Sequence, residues 1–309
     1  MFRRFIQCLP ILVAVSLLSL SIVTISNEFQ AHNPADILHY ISNLTTTRKF
    51  GVIALTSLGY LIMTGHDFLG FYYINQFLPP SKIVMTAFIS YAVGNTIGFT
   101  VLSGTAIRYC FYGRWGIYKL EIAKLIIFIN INFWVRLLGV SGVVFLVDPL
   151  SLPKTLNLPF ESAYFIGLIF LTLVSIYFII SYLRKKPFRI GAHLIYFPTF
   201  KVSLASIFLA AMDWGIASGV LYLLLPLSEI ISFSVFFCIY ILGLTAGLMS
   251  TVPGELGVFE TVILFSLPNT VSQTDILGGL IAYRAIYYFL TLIVAIVLLI
   301  IKEIQQQII

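Results

Sequence analysis

Charged residues are scarce in this chain, at 10% of 309 residues, whereas hydrophobic residues make up 60%. Soluble domains carry about 25% charged residues, so the composition excludes an ordinary soluble protein and indicates an all-α polytopic membrane protein. No polar tract is long enough to form a second, soluble domain, and we expect residues 1–309 to form a single integral membrane domain. The net charge of +6 comes from bases between apolar segments, which is a topological pattern and not a nucleic-acid signal.

Cysteine and histidine are also rare, with three and four residues respectively. The cysteines, at 8, 110 and 238, have neither metal-ligand nor disulfide spacing, so we interpret them as small apolar packing residues. The chain lacks a Walker loop, a His-Glu-x-x-His motif and a Gly-x-Ser-x-Gly motif. We therefore expect no cofactor, no metal ion, no catalytic residue and no nucleic-acid partner.

Two glycine-rich segments interrupt the apolar runs. Both read Tyr-x-x-Gly-x-Thr-x-Gly, at 91–98 and 240–247, and each follows an apolar segment with one acid, Asp67 or Asp213. Two weak copies of a glycine-interrupted pattern point to the central site of a transporter. Chance is the alternative, because Gly, Thr and Tyr are common in membrane helices. The candidate repeat halves cover about 50–120 and 202–268. The residues that we expect to interrupt the helices of these segments are Gly98, Gly104, Pro253, Gly254 and Gly257.

The distribution of bases favours a specific topology. A full crossing by residues 83–103 would place the basic clusters at 108–124 and 184–189 outside, whereas a re-entrant segment places both inside. This predicts six full spans, two re-entrant segments of opposite orientation, and both termini in the cytoplasm. Eight plain spans are the alternative. We interpret the apolar run at 9–25 as the first span and not as a signal peptide.

Several charges fall within apolar segments, where each costs about 2.5–3.5 kcal/mol at the bilayer centre. They could form structural ion pairs, such as Arg284 with Glu260, and Arg136 is a further candidate for an ion pair. Alternatively, they form a polar path for a headgroup that carries ammonium and phosphate, since carboxylates bind the first and arginines the second. We interpret His66 as a satisfied helix histidine in preference to a proton relay. The candidate path residues, whose charged members we expect in one cavity, are Asp67, Asn95, Ser103, Arg108, Asp213, Glu260 and Arg284.

Between about residues 67 and 288, a series of short motifs is recognisable. These are Gly98-Phe99, Leu102-Ser103-Gly104, Arg108-Tyr109, Trp115-Gly116, Asp213-Trp214, Val252-Pro253-Gly254, Leu256-Gly257-Val258-Phe259-Glu260 and Tyr283-Arg284. In these motifs the chain resembles the lysylphosphatidylglycerol synthetase transmembrane family, the membrane (flippase) half of bacterial multiple peptide resistance factor. Glu255 stands where that family usually has a second glycine, and Val252 where a polar residue is common. We expect the chain to lack the soluble aminoacyl-transferase domain of the family.

The resemblance implies a phospholipid translocator in the bacterial inner membrane, not an enzyme, with a link to antimicrobial peptide resistance. Its substrate would be an anionic or aminoacylated phospholipid such as lysylphosphatidylglycerol. Its partners would be phospholipid, the bilayer and a separate lipid-modifying synthase. The resemblance is also compatible with a homo-oligomer. The alternative function is a membrane enzyme or accessory subunit that acts on lipid-linked substrates.

Overall fold

The computed structural model describes residues 40–97, 100–149, 162–183, 188–190, 193–195, 197–227, 230–250, 257–268 and 270–307. The predicted first span at 9–25 and the predicted breaks at Gly98, Pro253 and Gly254 lie outside these residues. The helices are α1 (Thr46–Tyr73), α2 (Pro80–Ile97), α3 (Thr100–Arg114), α4 (Lys119–Val147), α5 (Ala163–Leu183), α6 (Phe200–Leu224), α7 (Phe233–Met249), α8 (Val258–Ser266), α9 (Gln273–Tyr283), a π-helix (Arg284–Leu290) and α10 (Thr291–Gln307).

Helices dominate the architecture, as the composition predicted. Between α5 and α6, the three-residue strands β1 (Phe188–Ile190) and β2 (His193–Ile195) form an antiparallel hairpin. This hairpin begins at the basic cluster at 184–189, which the preferred topology places inside.

Five helical segments are long and apolar enough to cross a membrane: α1, α4, α5, α6 and the continuous segment Gln273–Lys302. A bilayer core of about 30 Å needs about 20 helical residues, and these segments have 21 to 30. Large apolar side chains such as Ile179 and Phe208 lie exposed on their outer faces. The chain is therefore an all-α polytopic membrane protein.

Helices α2 and α3 form an antiparallel hairpin. A Cβ atom at Gly104 of α3 would lie only 3.3 Å from the carbonyl oxygen of Ser90 in α2, and the Arg108 guanidinium lies 4.7 Å from the centre of the Tyr91 ring. Gly104 thus lies inside a helix and is not a break, in contrast to the prediction. Its small size instead lets the two helix backbones approach each other closely.

Helices α7 and α8 form a second hairpin. A Cβ atom at Gly243 would lie 3.1 Å from Cδ2 of Phe259, and the rings of Tyr240 and Phe259 are 5.4 Å apart. Gly257 immediately precedes α8 with a φ of +79°, which L side chains rarely adopt, so a side chain at this position would strain the backbone. With 15 and nine residues, the returning helices α3 and α8 are too short to cross a bilayer. This geometry fits re-entrant hairpins better than eight plain spans.

Helices α1 and α6 form the antiparallel pair at the centre of the bundle. Glycines of α1 face apolar side chains of α6 closely, in the pairs Gly51–Leu223, Gly59–Ile216 and Gly65–Leu209. Small residues at such a seam allow the close packing that holds membrane helices together. The two acids expected near the site, Asp67 and Asp213, therefore lie on the two central helices.

The π-helix was not expected from the sequence. It lies between α9 and α10, and a hydroxyl of α1 supports it, because Tyr60 Oη donates to the Tyr287 carbonyl oxygen over 3.0 Å. Thr291 Oγ1 in turn donates to Tyr60 Oη, also over 3.0 Å. π-Helical turns occur frequently at functional sites, and this one faces the cavity described next.

Candidate functional site

A cavity of about 120 Å³ lies inside the bundle, lined by residues near the C-terminal ends of α2 and α7 together with the central helices. Tyr91 and Tyr240, the first residues of the two repeated sequence patterns, both line it. The hairpins thus bring corresponding positions of the two patterns to one place. The polar side chains in the lining are His66, Tyr91, Asn95, Arg136, Asp213, Tyr240, Tyr287 and Tyr288.

Five buried polar atoms in this lining lack a hydrogen-bond partner within the described part of the chain. They are His66 Nδ1, Tyr91 Oη, Arg136 Nε, Asp213 Oδ1 and Tyr287 Oη. An unsatisfied buried polar group costs about 1–3 kcal/mol, more for a charged group, and native structures contain few of them. Their concentration around one cavity indicates a site built for water or a polar ligand.

Arg136 on α4 and Asp213 on α6 both line this cavity and present a guanidinium and a carboxyl group to it. Both are almost fully buried, with 4% and 5% exposure. Among the described residues neither forms a salt bridge, so the ion pair expected for Arg136 is not formed there. The Arg136 guanidinium instead lies 5.8 Å from the centre of the Phe133 ring. A guanidinium and a carboxylate that face one cavity without direct contact suit a ligand with a phosphate and an ammonium group.

His66 differs from its predicted role as a satisfied helix histidine. Its Nδ1 has no partner in the described chain, and its ring lies edge-on to Tyr91 with the centroids 6.5 Å apart. The neighbouring Asp67 does not hold it, because successive residues of a helix point about 100° apart. His66 therefore faces the cavity whereas Asp67 faces α3.

Asp67 and Arg108 form a fully buried ion pair behind the cavity wall. Arg108 Nε and Nη2 each donate to the Asp67 carboxylate over 2.8 Å, and Tyr112 Oη donates to it over the same distance. The carboxylate has 0% and the arginine side chain 4% exposure. Tyr91, which packs on the Arg108 guanidinium and lines the cavity, connects this pair to it.

Glu260 and Arg284 form the ion pair that the sequence analysis gave as the structural alternative, with Arg284 Nε donating to Glu260 Oε1 over 2.6 Å. The other carboxylate oxygen, Oε2, accepts from the Gly257 backbone N–H over 2.9 Å and so caps the start of α8. The Arg284 guanidinium lies 5.9 Å from the ring centre of Tyr288, which lines the cavity. This pair ties the second hairpin to the π-helix beside the site.

The five charges expected in one cavity are therefore distributed over three places, which corrects the sequence prediction. Asp213 lines the cavity and is joined there by Arg136, whereas the other four charges form two pairs around it. Asn95 also lines the cavity. The backbone of Ser103 lies in α3, but its side chain is outside the described part.

The sequence reasoning missed the tyrosines of the π-helix, Tyr287 and Tyr288, and the aromatic wall formed by Phe133 and Trp214. The adjacent tyrosines at 287 and 288 were a usable signal, but their placement depends on the π-helical turn. In the described ranges, no group of three or more His, Cys, Asp or Glu side chains could hold a metal ion.

Comparison with known proteins places the chain among membrane proteins. An uncharacterized Synechocystis sp. protein, slr0712, is 44% identical over 291 residues, which cover 94% of this chain and 90% of that protein. Inner membrane protein YbhN of Escherichia coli is 24% identical over 274 residues, or 88% and 85% of the two chains. No protein-family model matches the chain.

More distant relatives are named phosphatidylglycerol lysyltransferase. The protein from Staphylococcus haemolyticus is 24% identical over 300 residues, which cover 96% of this chain but 34% of the relative. The chain thus corresponds to about a third of the lysyltransferase, its membrane region. Taken with the helical bundle and the extent of the closer match, these findings show that the chain is a multi-pass membrane protein that belongs to the same family as slr0712.

Proposed function

We propose that this protein is a phospholipid translocator, and that the cavity between the hairpins receives the lipid headgroup during its passage between the leaflets. The observation that carries the proposal is the placement of Arg136 and Asp213, which line one cavity without an ion pair in the described residues. If these two side chains served only to stabilise the fold, we would expect them to form an ion pair, as Asp67 does with Arg108. A site for a dipolar headgroup leaves them available.

The physical task of a translocator is to replace the water around a headgroup while it passes the hydrocarbon. Polar atoms fixed around a cavity provide that replacement, because they are already oriented and lose little freedom when the headgroup arrives. Arg136 matches a lipid phosphate, and Asp213 matches an ammonium group on the same headgroup. The charges therefore favour an aminoacylated or zwitterionic phospholipid over a purely anionic one. The lysyltransferase name of the Staphylococcus relatives supports the same class of lipid.

The two hairpins suggest how the cavity changes access. Each half of the described chain has one long central helix followed by a hairpin, α1–α2–α3 and then α6–α7–α8. We infer that these halves, 46–114 and 200–266, are inverted repeats whose hairpins enter from opposite sides of the bacterial inner membrane. Movement of one hairpin would open the cavity to one leaflet while the other hairpin keeps it closed to the second.

The test is translocation of fluorescent lipids in proteoliposomes, with lysylphosphatidylglycerol and phosphatidylglycerol as separate probes. We expect Asp213→Asn to lose at least about tenfold in the rate for the lysyl lipid with a smaller effect on phosphatidylglycerol, because only the first carries ammonium groups. Arg136→Gln should slow both lipids, since both carry phosphate. The matched control is Glu121→Gln on α4, whose partner Lys124 is also outside the cavity.

Two results would contradict the proposal. One is wild-type translocation by folded Asp213→Asn and Arg136→Gln proteins, which would remove the headgroup from this cavity. The other is an absence of translocation by the wild type together with a chemically changed lipid on mass analysis. That second result would favour the alternative function, a membrane enzyme or accessory subunit for lipid-linked substrates, to which the lysyltransferase relatives also lend support.

A further inference from the structure

A second space, here called the lateral groove, opens on the outer face of the bundle between α1, α2, the π-helix and α10. It has a volume of about 400 Å³. Its rim is formed by side chains that are about half exposed, including Ile53 at 54% and Leu61 at 57%. Its floor is buried, with Thr56, Tyr60 and Thr64 at 4%, 2% and 3% exposure. In a membrane protein such a rim faces hydrocarbon, so the groove is open to lipid chains.

The lateral groove and the headgroup cavity share a wall of two tyrosines. Tyr60 lines the groove, Tyr287 lines the cavity, and their ring centres are 5.4 Å apart. The Tyr60 hydroxyl also donates to the backbone carbonyl of Tyr287. The two spaces are therefore neighbours. The wall between them consists of the Tyr60 side chain on the groove side and the Tyr287 side chain on the cavity side.

The two spaces differ in volume, and each suits a different part of a phospholipid. The cavity, at about 120 Å³, is smaller than the roughly 300–1,000 Å³ of most ligand pockets, so it suits the charged end of a headgroup and not a whole lipid. The 400 Å³ groove lies in the range of about 300–1,000 Å³ that ligand pockets usually have. The chains of a bound lipid must lie outside the cavity, and the groove is the space directly across the partition.

A polar atom on the groove floor adds a second indication. Thr56 Oγ1 is buried and has no hydrogen-bond partner in the described residues. An aliphatic chain alone would leave this hydroxyl unsatisfied, whereas the ester carbonyl at the head of a phospholipid acyl chain would accept its hydrogen bond. The groove therefore fits an acyl chain together with its ester group better than it fits an apolar helix.

We propose that the lateral groove holds one acyl chain of the phospholipid whose headgroup occupies the cavity, with Tyr60 and Tyr287 as the gate between them. The assignment to a transport path rests on the proposed function, whereas occupancy of the groove by a lipid chain can be tested without it. The occupant is a lipid from the surrounding bilayer. A segment of the chain itself, such as residues 9–25, is the competing occupant.

The experiment uses phosphatidylglycerol with a diazirine in one acyl chain, reconstituted with the full-length protein in vesicles of Escherichia coli lipid. After illumination, mass spectrometry maps the labelled residues. We expect labels on Thr56, Tyr60 and Thr64, which lipid packed around the outside cannot reach. Phe208, with 65% exposure on α6, reports that ordinary outside contact.

A groove-filling variant supplies the comparison. Val84 lines the groove from α2, so Val84→Phe should reduce labelling of the three floor residues at least about fivefold and leave Phe208 unchanged. Val143→Phe is the matched control, because Val143 is 51% exposed on α4 and lies outside the groove lining. Labelling of the wild type needs no variant, so a poorly folded Val84→Phe protein would not affect the main result.

Three outcomes would overturn the inference. The first is a groove floor without label while Phe208 is labelled. The second is a photo-crosslink from the floor to residues 9–25, which would identify the chain itself as the occupant. The third is wild-type translocation by folded Val84→Phe, which would remove the groove from the path. If the groove floor is labelled but the protein moves no lipid, the result would support an acyl chain as the occupant of the groove and contradict the proposed function.

Discussion

Asp67→Asn and Asp213→Asn are the same chemical change at two buried sites, and we expect opposite consequences. Asp67 has 0% exposure and accepts three hydrogen bonds of 2.8 Å, two of them from Arg108. Neutralising it leaves a buried guanidinium without its counter-charge. Removing one partner of such a pair typically lowers the free energy of unfolding by about 3–5 kcal/mol.

Asp213 is also buried, but its Oδ1 has no hydrogen bond in the described chain, and the carboxylate forms no salt bridge there. Asp213→Asn removes a charge without breaking a direct contact, so the free energy of unfolding should stay within about 1 kcal/mol of wild type. Translocation of an aminoacylated lipid should be lost all the same. One carboxylate therefore serves mainly the fold, and the other serves the ligand.

Thermal unfolding of the purified proteins in one detergent at one scan rate measures the difference. With about 2–4 °C for each kcal/mol in chains of 150–250 residues, Asp67→Asn should unfold at least about 6 °C below wild type. Asp213→Asn should differ by no more than about 4 °C. A double variant with Asp67→Asn and Arg108→Gln should recover part of the loss. Equal losses at Asp67 and Asp213, or no loss at Asp67, would refute the assignment of the two roles.

Two further predictions concern the hairpins. Glu260→Gln alone should reduce the amount of folded protein, because it leaves Arg284 uncompensated, and the double variant with Arg284→Gln should restore both folding and translocation. A folded but inactive double variant would instead place this pair in the lipid path. Single cysteines at Gly113 and Thr270 should react with an impermeant thiol reagent from opposite sides of the membrane, Gly113 from the cytoplasm. Labelling of Gly113 from outside would exclude re-entry of the first hairpin.

The helical membrane class and the positions of the apolar spans could be predicted, because they depend on local properties of the sequence. The length of each apolar run and the positions of the basic residues between the runs can be read directly from the sequence. Two short glycine-rich segments stood out for the same reason, and the structure places the helices of each in a hairpin. The pair between Glu260 and Arg284 was also accessible, since both charges adjoin the second hairpin and a buried charge needs a partner.

The composition of the cavity could not be predicted, because it depends on which way each side chain points. His66 and Asp67 are adjacent in the sequence, yet one lines the cavity and the other binds Arg108 behind it. Arg136 was expected in a pair, because an isolated sequence does not show that its helix faces a polar cavity. Tyr287 enters the lining through a π-helical turn that has no simple sequence signature.

The π-helical turn at Arg284–Leu290 also sets the rotation of everything that follows it. A wider turn holds one residue more than an α-helix needs, so its conversion to regular α-helix would turn α10 by about 100° relative to α9. The face of α10 that carries Thr291 and Val294 to the lateral groove would then point elsewhere. A variant in which residues 284–290 form regular α-helix without any deletion should thus keep the length of the segment while misaligning the wall shared by the two spaces. Deletion of one residue from this turn should instead remove the extra residue and leave the groove-facing side of α10 in place.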